Sequence, residues 1–516
     1  MTVDPRIADA AARLPDYLGS HVTVSVAALL IGLAVSLPLA FASIHRPALR
    51  GTLLATASVI QTIPGLALLA LFYPLLLALS ALSERVFGAG FSALGFLPSV
   101  LALALYSMLP VLRNTVTGLN GIDPAVLEAA RGVGMTPRQS LWKVEIPLAL
   151  PMIMAGIRTA AVWVIGTATL ATPIGQASLG NYIFTGLQTQ NWVFVVFGCV
   201  AAAVLALAID QLLALVETGL RLRDRTRVVT GTIGLLLIVG AALLPALGRT
   251  QATYSIGAKT FSEQYVLAAL IEQRLADNGL SARRRESLGS SVVFNALASG
   301  EIDVYVEYSG TIWATQMGRT DVKPRREVLA AVSDWLTKQH GIKLLGPLGF
   351  ENAYSLAMRR KDAEALGIKS ISDLARHASR MSIAGDYEFL SRPEWTAIRD
   401  AYGLAFREQR TMQPEFMYPA AASGDVDVIS AYTSDGRVAQ YDLVVLDEPK
   451  QVIPPYDAIL LVSAKGAADA ALLKALQPLV DAIDVTRMRE ANRRAADGST
   501  TADAVARWLA SQIERR

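Results

Sequence analysis

The chain has 516 residues, 53% hydrophobic and 18% charged, with 47 Lys+Arg against 44 Asp+Glu and one cysteine, Cys199. This composition excludes an intrinsically disordered chain, a strongly basic partner of polyanions, an intramolecular disulfide framework and a cysteine-based zinc site. The charge is unevenly placed: residues 1–252 carry 15 Lys+Arg and 10 Asp+Glu, leaving 32 and 34 for the other 264 residues, so a charge-poor half precedes one of ordinary soluble composition.

The run from Val22 to Ile44 is free of charge over 23 residues. At ~1.5 Å per helical residue it is long enough to cross a hydrocarbon core of about 30 Å. Further apolar runs cover 52–82, 97–112, 150–173, 192–216 and 228–248, which predicts about six transmembrane helices in an N-terminal all-α polytopic domain. The run at 52–82 exceeds one straight span, and Pro64, Gly65 and Pro74 offer places to kink or re-enter. Ahead of the first span, Asp4, Arg6, Asp9, Arg13 and Asp16 lack the basic-then-apolar order of a cleaved signal, so the first helix is expected to be retained. Arg46, Arg50, Arg113, Arg131, Arg138, Lys143 and the four arginines from 221 to 227 fall on one alternating set of loops. That set is expected on the cytoplasmic side, which places the N-terminus and everything after 248 outside. Arg158 and Asp210 fall within spans four and five, near the cytoplasmic end, where snorkelling is the plain expectation for the arginine.

The loop 113–149 contains Glu128-Ala129-Ala130-Arg131-Gly132-Val133-Gly134 and ends Ile146-Pro147-Leu148-Ala149-Leu150-Pro151. Ala and Glu favour a short helix, Gly134 ends it, and the prolines are expected to stop the next segment before the membrane. This pattern resembles the signature loop of bacterial ABC importer permeases. The resemblance implies that 125–147 docks on an ATP-hydrolysing subunit through Glu128, Ala129, Ala130, Gly134, Ile146 and Pro147. No Gly-x-x-x-x-Gly-Lys-Ser/Thr occurs in the chain, so the ATPase is expected on a separate polypeptide.

From Tyr254 onward short β-like runs alternate with helical stretches near 262–277, 325–339 and 394–402, the pattern of an α/β domain. Two similar units, Ala298-Ser299-Gly300-Glu301-Ile302-Asp303-Val304 and Ala422-Ser423-Gly424-Asp425-Val426-Asp427-Val428, lie 124 residues apart. The repetition predicts two related lobes. The four histidines show no metal-ligand spacing, and neither Gly-x-Ser-x-Gly nor His-Glu-x-x-His occurs. No metal, cofactor, nucleic acid or catalytic constellation is therefore expected.

The motifs Gly257-Ala258-Lys259-Thr260-Phe261-Ser262-Glu263-Gln264, Glu307-Tyr308-Ser309-Gly310-Thr311, Ala431-Tyr432-Thr433-Ser434-Asp435-Gly436-Arg437 and Pro454-Pro455-Tyr456-Asp457 resemble the substrate-binding proteins of the osmoprotectant and quaternary-amine uptake family. The resemblance implies a bilobed α/β periplasmic-binding-protein domain of type II, with Tyr308, Tyr354, Tyr432 and Tyr456 as an aromatic cage and Thr311, Gln264 and Asn352 as polar neighbours. A trimethylammonium group has no N–H to donate, so aromatic faces at ~0.5–2 kcal/mol each are its natural partners. Arg392 and Lys259 are expected to meet a ligand carboxylate. Asn352 stands where some betaine binders carry Asp.

Together the resemblances imply an ABC importer permease fused to its own binding protein, in the bacterial inner membrane, taking up glycine betaine, choline, carnitine, proline betaine or ergothioneine. The expected domains are a permease at 1–227, a final helix and linker at 228–252, and a binding domain at 253–516. Its first lobe is placed at 254–352 plus 457–516 and its second at 353–456. The permease is expected to pair with a second copy, because six helices of this family make half a pore. A ligand-gated sensor or channel with the same binding domain is the alternative.

Overall fold

The computed structural model describes residues 4–44, 46–88, 90–189, 191–247, 253–496 and 498–514. His45 and the linker end at 248–252 lie outside the described residues. The chain forms two compact units, Met1–Ile183 with Phe194–Thr250, and Phe184–Val193 with Gln251–Arg516.

The first unit is all-helical among the described residues. Its principal helices are α1 (Pro5–Ser43), α2 (Pro47–Thr62), α3 (Gly65–Phe87), α4 (Phe96–Asn120), α5 (Pro124–Gly132), α6 (Pro137–Ser140), α7 (Ile146–Ala168), α8 (Gly180–Gln188), α9 (Trp192–Leu222) and α10 (Arg225–Leu247). Six helical segments are long and apolar enough to cross a membrane. The most enclosed is α4, which packs against α1 and α7 and buries Leu103, Leu112 and Val111. α1 begins well before the apolar run, because Asp4 caps it through Arg6 N at 2.9 Å and Pro5 suits its first turn.

The run at 52–82 resolves at Pro64. α2 stops at Thr62, Ile63 turns to ψ 127°, and Pro64 caps α3, which then passes through Pro74. The residue before a proline is pushed out of the α region, and here that effect separates two helices. The prolines of the loop behave otherwise than expected. Pro147 enters at the start of α7 directly behind a π-helical turn, Leu141–Glu145, and Pro151 lies inside α7. Each proline forfeits one backbone bond, but burial of Ile153, Ala160, Val164 and Ile165 carries the helix through both.

The second unit holds two five-stranded sheets. Its strands are β1 (Tyr254–Lys259), β2 (Ala282–Leu288), β3 (Val304–Tyr308), β4 (Lys343–Glu351), β5 (Tyr354–Arg359), β6 (Ser382–Gly385), β7 (Glu408–Thr411), β8 (Val428–Tyr432), β9 (Leu443–Val445) and β10 (Asp457–Val462). The sheet orders are β2-β1-β3-β10-β4 and β7-β6-β8-β5-β9, one topology used twice. In each sheet three parallel strands meet an antiparallel strand that has crossed over from the other lobe. The repeated motif does the same job in both lobes. Gly300 and Gly424 adopt φ +76° and +96° to end the helices Ser290–Ala298 and Pro414–Ser423. Asp303 then accepts a bond from Ser255 N, and Asp427 one from Ser382 N, both at 2.8 Å, tying each motif to the neighbouring strand.

Candidate functional site

The C-terminal ends of β3 and β8 carry Tyr308 and Tyr432, which occupy the same place in the two repeats. Tyr354 opens β5 and Tyr456 immediately precedes β10, so these two sit where the chain crosses between sheets, on strands that pair with those ending in Tyr432 and Tyr308. Their rings enclose one small cavity of about 20 Å³, room for a single water, together with Lys259, Phe261, Ser290, Thr311, Asn352, Glu388 and Arg392. Tyr354 lies 5.0 Å from Tyr432 and 5.5 Å from Tyr456, the latter pair edge to face at 85°. Phe261 and Tyr432 are parallel within 9° at 6.3 Å. The close seat of Tyr456 depends on Gly310, where a β-carbon would lie 2.3 Å from the ring.

Burial pushes all four phenols well above the ordinary tyrosine range, so the rings remain neutral at physiological pH. The cations at the site are already paired. Lys259 is 3% exposed and bound by Glu307, which also accepts from Tyr305 Oη at 2.9 Å and Tyr308 N at 2.8 Å. Arg392 is bound by Glu388, reaches Thr315 Oγ1 at 3.1 Å and lies 3.8 Å from Glu394. Glu394 in turn accepts the hydroxyl of Tyr456. Lys259 Nζ and the Arg392 guanidinium each stand 5.4 Å from a ring centroid, Tyr308 and Tyr354 respectively. Three carboxyl groups therefore surround two cations beside electron-rich faces.

Residues 252–511 match the family described as the substrate binding domain of ABC-type glycine betaine transport system. Residues 29–222 match the binding-protein-dependent transport system inner membrane component. The chain belongs to the ABC-type glycine betaine transport family. It is a permease fused to a substrate-binding domain, and a multi-pass membrane protein. Over 462 residues, 86% of this chain and 80% of the relative, it is 28% identical to the ergothioneine transport permease/ergothioneine binding protein of Helicobacter pylori (strain G27). The choline transport system permease protein of Bacillus subtilis (strain 168) is 41% identical over 200 residues, 39% of this chain and 85% of that protein. A crystal structure of a glycine betaine/carnitine/choline ABC transporter aligns at 25% identity and TM-score 0.46, covering 51% of this chain and 98% of that one.

Within this transport-family fold the structure brings together Tyr308, Tyr354, Tyr432, Tyr456, Lys259, Arg392, Thr311 and Asn352 around one cavity. Gln264 stands behind it. Its amide donates to Val306 O at 2.9 Å and to Tyr308 Oη at 3.2 Å, and accepts from Lys259 N at 3.3 Å. Sequence reasoning passed over Phe261, Ser290 and Glu388 on the wall and Glu307 behind it. Phe261 and Glu307 lie inside the quoted motifs, and an aromatic or acid there was the available signal. Glu388 had none.

In the permease, α5 starts at Asp123, whose side chain accepts from Ala125 N at 2.9 Å. It ends in a Schellman turn: Met135 N bonds Ala130 O at 3.1 Å, Gly134 N bonds Arg131 O at 2.9 Å, and Gly134 adopts φ +79°. Glu128 and Ala129 are exposed on this helix, whereas Ala130 is buried. Ile146 and Pro147 open α7 beyond the π turn, where Ser140 Oγ donates to the buried Glu145 at 2.8 Å. Arg158 is paired with two acids of α9. Its guanidinium forks onto Asp210 at 2.9 and 3.0 Å and reaches Glu217 at 3.0 Å. Glu217 lies one residue past the predicted end of the fifth span, but α9 continues to Leu222 and presents both acids two turns apart.

Proposed function

We propose that this protein captures a quaternary-ammonium solute between its two lobes and passes it through the permease at the expense of ATP hydrolysed on a separate subunit. The observation that carries the reading is the box of four neutral tyrosines with Phe261, backed by more carboxyl groups than cations. Such a box attracts a methylated ammonium head through ring faces and the surrounding negative charge, and offers Thr311, Asn352 and Ser290 to the remainder of the ligand. Choline, glycine betaine, carnitine, proline betaine and ergothioneine share that head, and relatives are named for choline and ergothioneine.

Docking of the ATPase is assigned to the 125–147 segment, which exposes Val133 at 74% and Trp142 at 66% beside Arg131, Arg138 and Lys143. Exposed apolar side chains on a basic loop are suited to a protein groove. Two copies of the permease would form one pore in the inner membrane, with the binding domain on the extracytoplasmic face as the loop arginines require. On this reading 1–227 is the permease, 228–252 the last helix and linker, and 253–516 the receptor, with lobes at 254–352 plus 457–516 and at 353–456.

Calorimetric titration of the purified full-length protein with choline, glycine betaine, carnitine and ergothioneine tests the reading. Saturable binding of at least one, weakened tenfold or more by Tyr432→Ala, is expected. Absence of heat from every ligand in folded wild-type protein would overturn it.

A further inference from the structure

Glu263 lines no part of the tyrosine cavity, yet it is 3% exposed and its carboxylate accepts four hydrogen bonds. Oε1 takes Tyr308 Oη at 2.5 Å and Asn352 Nδ2 at 3.1 Å. Oε2 takes Ser434 Oγ at 2.7 Å and Asn492 Nδ2 at 2.6 Å. The donors come from four places: the end of β3, the first crossing segment, the turn after β8, and the helix Val485–Ala496. One oxygen is thus held by the first sheet and the crossing, the other by the second sheet's turn and the helix Val485–Ala496.

All four donors are neutral. A buried carboxylate without a cation persists only when its lone pairs are occupied, and its place in the first turn of the helix Ser262–Asp277 adds a favourable dipole. Withdrawing the second lobe would take Ser434 away and leave Oε2 with Asn492 alone. The same turn is fastened at neighbouring points. Asn492 Nδ2 also donates to Ser434 O at 2.8 Å, and Arg489 Nε to Thr433 O at 2.9 Å. Gly436 lies so near the helix that a β-carbon would stand 2.2 Å from Arg493 N.

We propose that Glu263 is a positioning residue that couples closure of the two lobes to the tyrosine box, by orienting Tyr308 through one oxygen and latching the Ser434 turn through the other. The proposal rests on the solute-binding reading above. It places the latch in the closed state of the two lobes, so its loss speeds release of ligand and leaves capture untouched.

The test uses purified full-length protein, choline and glycine betaine as probes, and stopped-flow tyrosine and tryptophan fluorescence. Ser434→Ala removes one donor without disturbing the fold, and is expected to raise the dissociation rate about tenfold, with the association rate within about twofold and the melting midpoint of the empty protein unchanged. Gly436→Ala, which obstructs the closed approach, is expected to act in the same direction, and Glu263→Ala to exceed both. Unaltered dissociation in Ser434→Ala and Gly436→Ala would overturn the latch while leaving the box intact. A faster release matched by an equally destabilised empty protein would reduce Glu263 to a structural part and overturn it too. Wild-type protein that binds neither probe would overturn the latch together with the box reading beneath it.

Discussion

A β-carbon on Gly310 would lie 2.3 Å from Cε2 of Tyr456 and 2.6 Å from its Cζ. The ring cannot retreat freely, because its hydroxyl is fixed on the buried Glu394 and its edge meets Tyr354. Gly310→Ala therefore moves one wall of the box. Overpacking of this kind costs about 1–3 kcal/mol. We expect ligand affinity to fall about tenfold or more in Gly310→Ala, measured by calorimetry, with a smaller loss for Ser309→Ala. Equal affinities for wild type and Gly310→Ala would show that Tyr456 is not a binding wall.

Glu388 decides what the cations of the site are free to do. It binds Arg392, and although desolvation pushes its carboxyl up, the charges of Arg392 and Lys259 hold it below the ordinary range. A ligand carboxylate must compete with it for the guanidinium, whereas a purely cationic ligand gains a counter-charge. Glu388→Gln is expected to weaken choline and to strengthen glycine betaine relative to it, shifting the ratio of the two dissociation constants about tenfold, roughly the 1.4 kcal/mol of one charge-assisted contact. A ratio unchanged by the substitution would assign the carboxylate of a betaine elsewhere.

The parts of this site that were legible in the sequence are those written in contiguous motifs. Tyr308 and Tyr432 end twin strands introduced by the same Ala-Ser-Gly motif and the same strand-tying aspartate, so repetition in sequence became repetition in topology. Glu263 stands in a motif as plainly as its neighbours, but its partners are 45, 89, 171 and 229 residues away. No local pattern states that a carboxylate will gather such donors. Lys259 is ordinarily a surface residue, and only the fold supplies the Glu307 that makes its burial tolerable. In the membrane half, hydropathy located the six spans because lipid imposes one requirement on every residue of a span. It misjudged Pro147 and Pro151, where packing of α7 outweighed a local preference, and it ended the fifth span before Glu217.

The ionisation of Glu263 should be visible in stability. Burial raises its carboxyl, the bonds from Tyr308, Ser434 and Asn492 pull it down, and the charge of Asp435 adds to the rise. With the folded value above the unfolded one, the folded protein binds the proton more tightly. Its contribution is present below the ordinary glutamate value of about 4.3 and is lost as pH climbs through the raised value. Glu263→Gln carries no such titration. Thermal midpoints of the two full-length proteins should therefore drift apart across that window, the wild type losing ground as pH rises. A constant difference from pH 4 to 7 would place the carboxyl at its ordinary value.

Arg158 holds α7 to α9 with a two-pronged bond to Asp210 and a third contact to Glu217. Removing one member of an ion pair in a low-dielectric setting strands the other, at about 3–5 kcal/mol, whereas replacing both by apolar residues can be neutral. Asp210→Leu is expected to lower the melting midpoint of the protein in detergent by several degrees. Glu217 still pairs with the arginine in that variant, so the rescue must leave no charge behind: the triple substitution Arg158→Met with Asp210→Leu and Glu217→Leu should recover most of the loss. A triple variant as unstable as the single one would mean that the arginine serves through packing.

The last turn of α5 depends on Gly134 at φ +79°, a conformation that costs an L-residue with a β-carbon about 1–2 kcal/mol and is open to glycine without strain. No atom crowds the position, so the requirement is conformational rather than steric. Gly134→Val would disfavour the Schellman turn and swing Val133 and Trp142 off their present course, without touching any residue of the tyrosine box. Ligand-stimulated ATP hydrolysis by the assembled transporter should fall at least tenfold, while calorimetric affinity for the ligand stays within twofold of wild type. Gly134→Ala, with a smaller side chain in the same backbone, should fall between the two. Loss of ligand affinity in parallel with ATP hydrolysis would contradict the separation of capture from coupling, because this turn and the box share no residue through which a local change could act on both.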